Sequence, residues 1–274
     1  MRFATMLNVH PEDADVQFPN VSLDKLAAEA KRLRLRGFQA VQLGFNTELL
    51  TEDLCADVST QLAQARLSVV AVSGYTDLID PDEQVRERNA AYLERIIDLA
   101  PLFDTDIVVT WGGFKHKGMK RPWDEMMEAT ADIISAAEIN GVMLAFELYD
   151  ERVVGTTEEI LCAIESIGSD NLVAVLDPPN TMKPSDLKRQ GDYMDELAER
   201  LVDCAVLAHA KDVLFRDDQR TFPAAGQGQM DYEAYLRSLR KMSYESYLVV
   251  EHVNADTLLP ARKHIEDAMK RVGK

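Results

Sequence analysis

Cysteine is scarce in this chain. Cys55, Cys162 and Cys204 lie far apart, are odd in number and form no C-x-x-C pair. That argues against a disulfide framework and a cysteine zinc site, and fits a reducing compartment. Long apolar runs are also missing, and none approaches the ~18 residues that mark a membrane span. The opening MRFATMLNVHPED lacks the apolar stretch of a secretion signal, so a cytoplasmic location is expected. Positive charge is in deficit: 30 basic residues face 47 acidic ones, a formal net charge of −17. Such a field repels nucleic-acid backbones and anionic lipid, so neither is expected as a partner.

What is present is ordinary globular composition, 46% hydrophobic and 28% charged. No linker, low-complexity tract or compositional break interrupts it, so residues 1–274 read as one domain. Eight short, nearly continuous apolar runs stand out: 2–7, 40–45, 67–74, 106–113, 142–149, 172–177, 204–212 and 247–253. Runs of this kind suit strands buried on both faces.

Amphipathic stretches lie between them. SLDKLAAEAKRLRLRG opens on Ser22, read as an N-cap, and closes on Gly37. TEDLCADVSTQLAQARL is the least cleanly patterned. PDEQVRERNAAYLERIIDLAPLF follows, then RPWDEMMEATADIISAAEING, which stops at Asn140-Gly141. TTEEILCAIESIG is capped by Thr156 or Thr157, and DYEAYLRSLRKMSY and LLPARKHIEDAMKRVG complete the set. Strands alternating with helices over this length predict an α/β fold, the (β/α)8 TIM barrel. The competing doubly wound sheet would show a glycine-rich phosphate turn after its first strand, where this chain has LNVHPED.

In such barrels chemistry gathers at the C-terminal ends of the strands. Strand five ends in FELYDER with Glu147, and strand six in VLDPPN with Asp177 and Asn180. Strand seven ends in LAHAKDV with His209, Lys211 and Asp212, and strand eight in VVEHV with Glu251 and His252. Glu147, Asp177, His209 and Glu251 thus follow one another by one βα unit each, the last step lengthened by LFRDDQRTFPAAGQGQ. Three carboxylates and an imidazole on one rim repel unless a cation sits among them. The set suits one divalent metal ion, Mn²⁺ first, with Mg²⁺, Co²⁺ or Zn²⁺ as alternatives.

Other residues of the same rim are substrate contacts in this reading: Asn180, Lys211, Arg216, His10 and His116, the last two placed in loops after strands one and four. Lys211 reads equally as a partner of a metal-ligand carboxylate. Tyr75 and Trp111 could wall a sugar ring, with core packing the expected role of Trp111. Gly226 and Gly228 are read as turn positions needing φ > 0. His252 alternates with Glu251 and is expected to face the helices.

At these residues the chain resembles the sugar phosphate isomerase/epimerase superfamily, the xylose isomerase-like barrels. The resemblance spans essentially the whole chain. It rests on Glu147 in FELYD, Asp177 in LDPPN, His209 with Lys211-Asp212 in HAKD, Glu251 in VVEH and the Gly226-x-Gly228-x-x-Asp231 turn. It implies that Glu147, Asp177, His209 and Glu251 hold one divalent metal, and that the two glutamates act as acid and base on a sugar or keto-sugar. It leaves the reaction open between isomerisation or epimerisation and a lyase or dehydratase acting on a keto-sugar, inosose or 3-keto-glycoside. A non-catalytic binding barrel is a third reading, disfavoured by the intact ligand set. Asn180 stands where ketose epimerases of the family carry a histidine, which weakens simple ketose epimerisation. The DNA-repair relatives need further histidines at earlier strand ends, where this chain reads LGFN, VSGY and TWGG. No cluster of Lys and Arg demands a phosphate. Homo-oligomerisation through the outer helices stays open.

Overall fold

The computed structural model describes residues 1–12, 15–47, 50–217 and 219–273. Eight strands form its centre: β1 (Arg2–His10), β2 (Ala40–Phe45), β3 (Ser68–Ser73), β4 (Ile107–Phe114), β5 (Met143–Glu147), β6 (Leu172–Leu176), β7 (Ala205–Ala210) and β8 (Tyr247–Val250). Each pairs in parallel with the next, and β8 returns to β1 through Ala4 opposite Val249. The sheet therefore closes into a barrel with no free edge between its first and last strands, as the apolar runs predict.

Among the described residues eight longer helices surround it, besides the single turn Pro178–Thr181 that follows β6: α1 (Leu26–Leu35), α2 (Glu52–Gln64), α3 (Glu83–Leu99), α4 (Pro122–Asn140), α5 (Thr157–Ile167), α6 (Gln190–Leu201), α7 (Tyr232–Lys241) and α8 (Leu258–Val272). Their ends follow local chemistry. Thr156 and Glu159 form a reciprocal capping box at α5, which then stops on left-handed Gly168. Asp82 and Asp231 cap α3 and α7 through their carboxylates. Ser22 corrects the expectation made for it. A 3-10 turn, Leu23–Lys25, precedes α1, and the Ser22 side chain makes no cap bond. Helix α6 was not among the expected helices. No helix of the described residues is long and apolar enough to cross a membrane.

Strand parity divides the core. Ala145, Val173, Val175, Leu207 and Val249 fill the barrel interior with Ala4, Ala40, Ala71 and Val109. Their neighbours Leu144, Phe146, Ala174, Leu176, Ala208 and Val250 face the helices. Because side chains alternate along a strand, the inward column of β5 continues to Glu147, that of β6 to Asp177, that of β7 to His209 and that of β8 to Glu251. The interior is thus apolar below and becomes charged at the carboxyl end. Strand β7 stops at Ala210, so Lys211 and Asp212 stand beyond it rather than within it. Strand β1 runs on to His10, which ends a strand rather than lying in a loop.

Three small additions dress the same end. Asn20–Ser22 pairs beside β1, and Arg152–Val154 folds back antiparallel on the end of β4. Leu214–Arg216 and Gln219–Thr221 form a hairpin in the long loop after β7.

Candidate metal centre

The four inward columns bring Glu147, Asp177, His209 and Glu251 together, all buried, with one ligand atom from each within 4.8 Å of the others. His209 Nδ1 lies 3.8 Å from Glu147 Oε1, 3.6 Å from Asp177 Oδ2 and 3.5 Å from Glu251 Oε1. These separations exceed hydrogen-bond length, and Nδ1 has no hydrogen-bond partner; nor has Asp177 Oδ1. Ligands bound to one cation at about 2.0–2.3 Å stand roughly 3–4 Å apart, so the spacing suits a shared ion. The other ring nitrogen, Nε2, donates to Gln42 Oε1 at 2.8 Å. That bond turns the Nδ1 lone pair toward the three carboxylates, the orientation a metal ligand needs. The residues present therefore fit a divalent ion.

Charge is balanced closely here. Burial pushes the Glu147 carboxyl up, but His209 and Lys211 outweigh it and hold it at about 2. Glu251 is treated alike: burial is overcome by Lys211 and His209, and its pKa falls well below the usual value. Asp177 goes the other way, raised to about 6 chiefly by burial, with Lys211 opposing. Burial disfavours the His209 imidazolium, yet Glu251 and Glu147 raise its pKa well above normal. Without a metal the ring would carry a second proton at Nδ1, where an ion would otherwise bind.

Lys211 is almost wholly buried at 1% exposure. Its ammonium donates to Asp177 Oδ2 and Glu251 Oε1 and lies 3.8 Å from Glu147 Oε1. It is thus a partner of the clustered carboxylates. Asn180 Nδ2 bridges Glu147 Oε1 and Asp177 Oδ2, each at 2.8 Å. Tyr75 donates its hydroxyl to Glu147 Oε2 at 2.5 Å, and its ring packs on Trp111 at 4.8 Å between centroids. Trp111 is only half-buried and shares a register position with Glu147, so it faces the barrel mouth and not the core.

Asp212 is not one of the converging residues; it organises the following loop, accepting from the backbone N–H groups of Val213, Gly226 and Met230. Gly226 has φ +86° as expected. Gly228 does not need a positive φ; it is small because a Cβ there would come within 2.3 Å of Asp212 Oδ1. His252 is exposed and bonds Phe222 O at 2.9 Å, so it does not face the helices.

The remaining sequence-named residues spread around the mouth. His10 bonds Asn46 at the top of β1. His116 bonds Asp77 and stacks on Phe114. With Asp80 these form a second cluster of possible ligands, but Asp77 Oδ1 is already engaged by the N–H groups of Ile79 and Phe114. Arg216 is exposed on the hairpin. Its neighbour Arg220, which the sequence did not single out, reaches back to Asp150 and to Asn180 O. Gln42 was also missed; its signal was one polar residue in an otherwise apolar strand.

The chain belongs to the xylose isomerase-like TIM barrel family, whose model matches residues 28–273. No curated protein matches it in sequence. Among solved structures it is similar to a xylose isomerase-like TIM barrel protein from Mycobacterium smegmatis in complex with magnesium, at 18% identity and TM-score 0.72, covering 97% of this chain and 96% of that one. It is similar to D-psicose 3-epimerase with D-tagatose from Clostridium cellulolyticum H10, at 13% identity and TM-score 0.71, covering 99% and 98%. It is also similar to the probable 3-DHS dehydratase involved in petrobactin synthesis from Bacillus anthracis, at 12% identity and TM-score 0.71, covering 98% and 99%.

Proposed function

We propose that this chain is a divalent-metal-dependent sugar isomerase or epimerase that removes a proton beside a carbonyl. The observation that carries the reading is the buried convergence of Glu147, Asp177, Glu251 and the unpartnered His209 Nδ1. These four residues would hold the ion, Mn²⁺ by preference, and a bound divalent ion supplies Lewis-acid stabilisation of negative charge developing on a substrate oxygen. Glu147, held ionised at neutral pH, is the base. Tyr75 and Asn180 engage its two oxygens and fix its direction. Glu251, just past the end of β8, is ionised at rest and accepts from the Lys211 ammonium; in the reaction it takes up a proton from that ammonium and returns it from its own side, and the proton taken by Glu147 restores Lys211 when product leaves. Return at the same carbon from the opposite face gives an epimer; return at the neighbouring carbon gives an isomer. His10, His116 and Arg216 ring the mouth as contacts for substrate hydroxyls. Similarity in fold to an epimerase and to a protein in complex with magnesium supports the reading.

A lyase or dehydratase would share the first step and then expel a β-oxygen. Asn180, bonded to two ligand carboxylates where family epimerases carry a histidine, keeps that second reading. The test is incubation of the Mn²⁺-loaded protein with keto-sugars in deuterium oxide. Deuterium entering the carbon beside the carbonyl is expected, with product mass separating rearrangement from water loss. No exchange with any keto-sugar, metal bound, sinks the reading.

A further inference from the structure

Arg152 stands in the short strand on the end of β4, directly opposite Phe114. It is 8% exposed. Its guanidinium carbon lies 3.9 Å from the Phe114 ring centroid, 4.5 Å from that of Trp111 and 4.7 Å from that of Tyr149. Nε is enclosed with no hydrogen-bond partner. The acids beside it in sequence are turned elsewhere: Asp150 and Glu151 lie 2.6 and 3.5 Å from Arg220. Among the described residues no carboxylate forms an ion pair with Arg152.

An arginine this buried is ordinarily paired, because a desolvated cation without a counter-charge is costly. Here the chain has 47 acidic residues to draw on. The aromatic rings partly compensate through their faces, but they leave the in-plane N–H donors unfilled. Those donors form a planar fork suited to a carboxylate.

The fork lies beside the reaction site. Trp111, against which Arg152 stacks, is the register partner of Glu147 and packs on Tyr75, which bonds Glu147. The charges at the centre also leave room for an anion. Glu147, Asp177 and Glu251 would be matched by one divalent ion and Lys211, so none of the three is left over to pair directly with Arg152. A phosphate dianion would call for a second free cation, and Arg220, the neighbouring guanidinium, is spent on Asp150.

We propose that Arg152 binds a carboxylate of the substrate, so that the natural substrate is a keto-sugar acid with its carbonyl at the metal centre and its acid group over Trp111. This rests on the function proposed above. Three probes differ only at carbon six: D-fructose, D-fructuronate and D-fructose 6-phosphate. Calorimetric binding to the Mn²⁺-loaded protein is measured beside solvent-deuterium exchange, for wild type, Arg152→Met and Arg152→Lys, with metal content and melting temperature recorded for each.

Fructuronate should bind about 10–100-fold more tightly than fructose, the range for a charge-assisted fork. Arg152→Met should abolish that preference, retain metal, bind fructose as before and melt no lower, since an unpaired buried cation is removed. Arg152→Lys should restore part of the preference. Equal binding of fructose and fructuronate overturns the proposal. So does a preference for the 6-phosphate, or a preference for fructuronate that survives in Arg152→Met. If Arg152→Met melts much lower, Arg152→Lys decides: wild-type stability with no preference for fructuronate assigns Arg152 to packing and overturns the proposal. Carboxylate-dependent binding without deuterium exchange would leave Arg152 as the anchor and reject the proposed proton abstraction.

Discussion

His209 Nε2 is held by Gln42 Oε1 at 2.8 Å, a bond that crosses the barrel from β7 to β2. It joins the imidazole to a strand that carries none of the other three ligands. Outer partners of this kind fix the tautomer and direction of a metal-bound histidine. Gln42→Leu should therefore weaken metal binding by about 10–100-fold. Gln42→Glu, which keeps an acceptor, should lose less. Competition with a chelator of known affinity measures both.

Glu147→Gln and Glu251→Gln separate proton transfer from assembly. Each retains a side-chain oxygen but no basic carboxylate. Turnover should fall by about 10²–10⁴-fold in each, the usual contribution of a positioned acid or base. Metal content, read by elemental analysis, should persist at reduced affinity. Full activity in both variants with metal bound would remove the glutamates from the chemistry.

Lys211 donates to Asp177 Oδ2 and Glu251 Oε1, carboxylates that the proposed metal ion would share. Lys211→Met leaves buried carboxylates without their cation, and metal-free protein should lose about 3–5 kcal/mol of stability, as when one partner of a buried pair is removed. Added Mn²⁺ should recover a larger share of stability in the variant than in wild type. Denaturant melts with and without Mn²⁺ give the comparison.

Metal uptake should depend on pH. The His209 pKa is raised well above 6.5, so binding at Nδ1 displaces a proton. Affinity should rise roughly tenfold per pH unit through neutrality, until pH passes the raised value. The metal-free fold follows linkage of the opposite sign for this group. A histidine raised on folding contributes stability that is complete below about 6.5 and lost as pH climbs through its folded value. Glu147, lowered to about 2, contributes above its ordinary value of 4.5, and that share is lost as pH falls toward 2. Melting curves across pH in excess chelator, beside metal titrations, test both signs.

The barrel was legible because its strands are buried on both faces and read as apolar runs. The convergence of Glu147, Asp177, His209 and Glu251 was legible because each ends such a run on the inward parity. What escaped had weaker local signatures. The strand Arg152–Val154 and the hairpin after β7 are three residues per strand, too short to show a period. Helix α6 buries Tyr193, Met194, Leu197, Ala198 and Leu201, a helical spacing that its polar flanks obscured. Ser22 resembled a cap, but residues 20–22 pair beside β1 instead. Gln42 and Arg152 owe their roles to strands distant in sequence, and no spacing within the chain reveals such a partnership.

Lys211 has a further consequence for how the protein comes into being. Its ammonium is encoded in the chain and reaches Asp177 and Glu251 once β6, β7 and β8 are side by side. The mutual repulsion of the acids is therefore partly relieved before any ion arrives. If the centre takes an ion as proposed, barrel closure need not await it, and loading would be a late, reversible event on a scaffold already assembled.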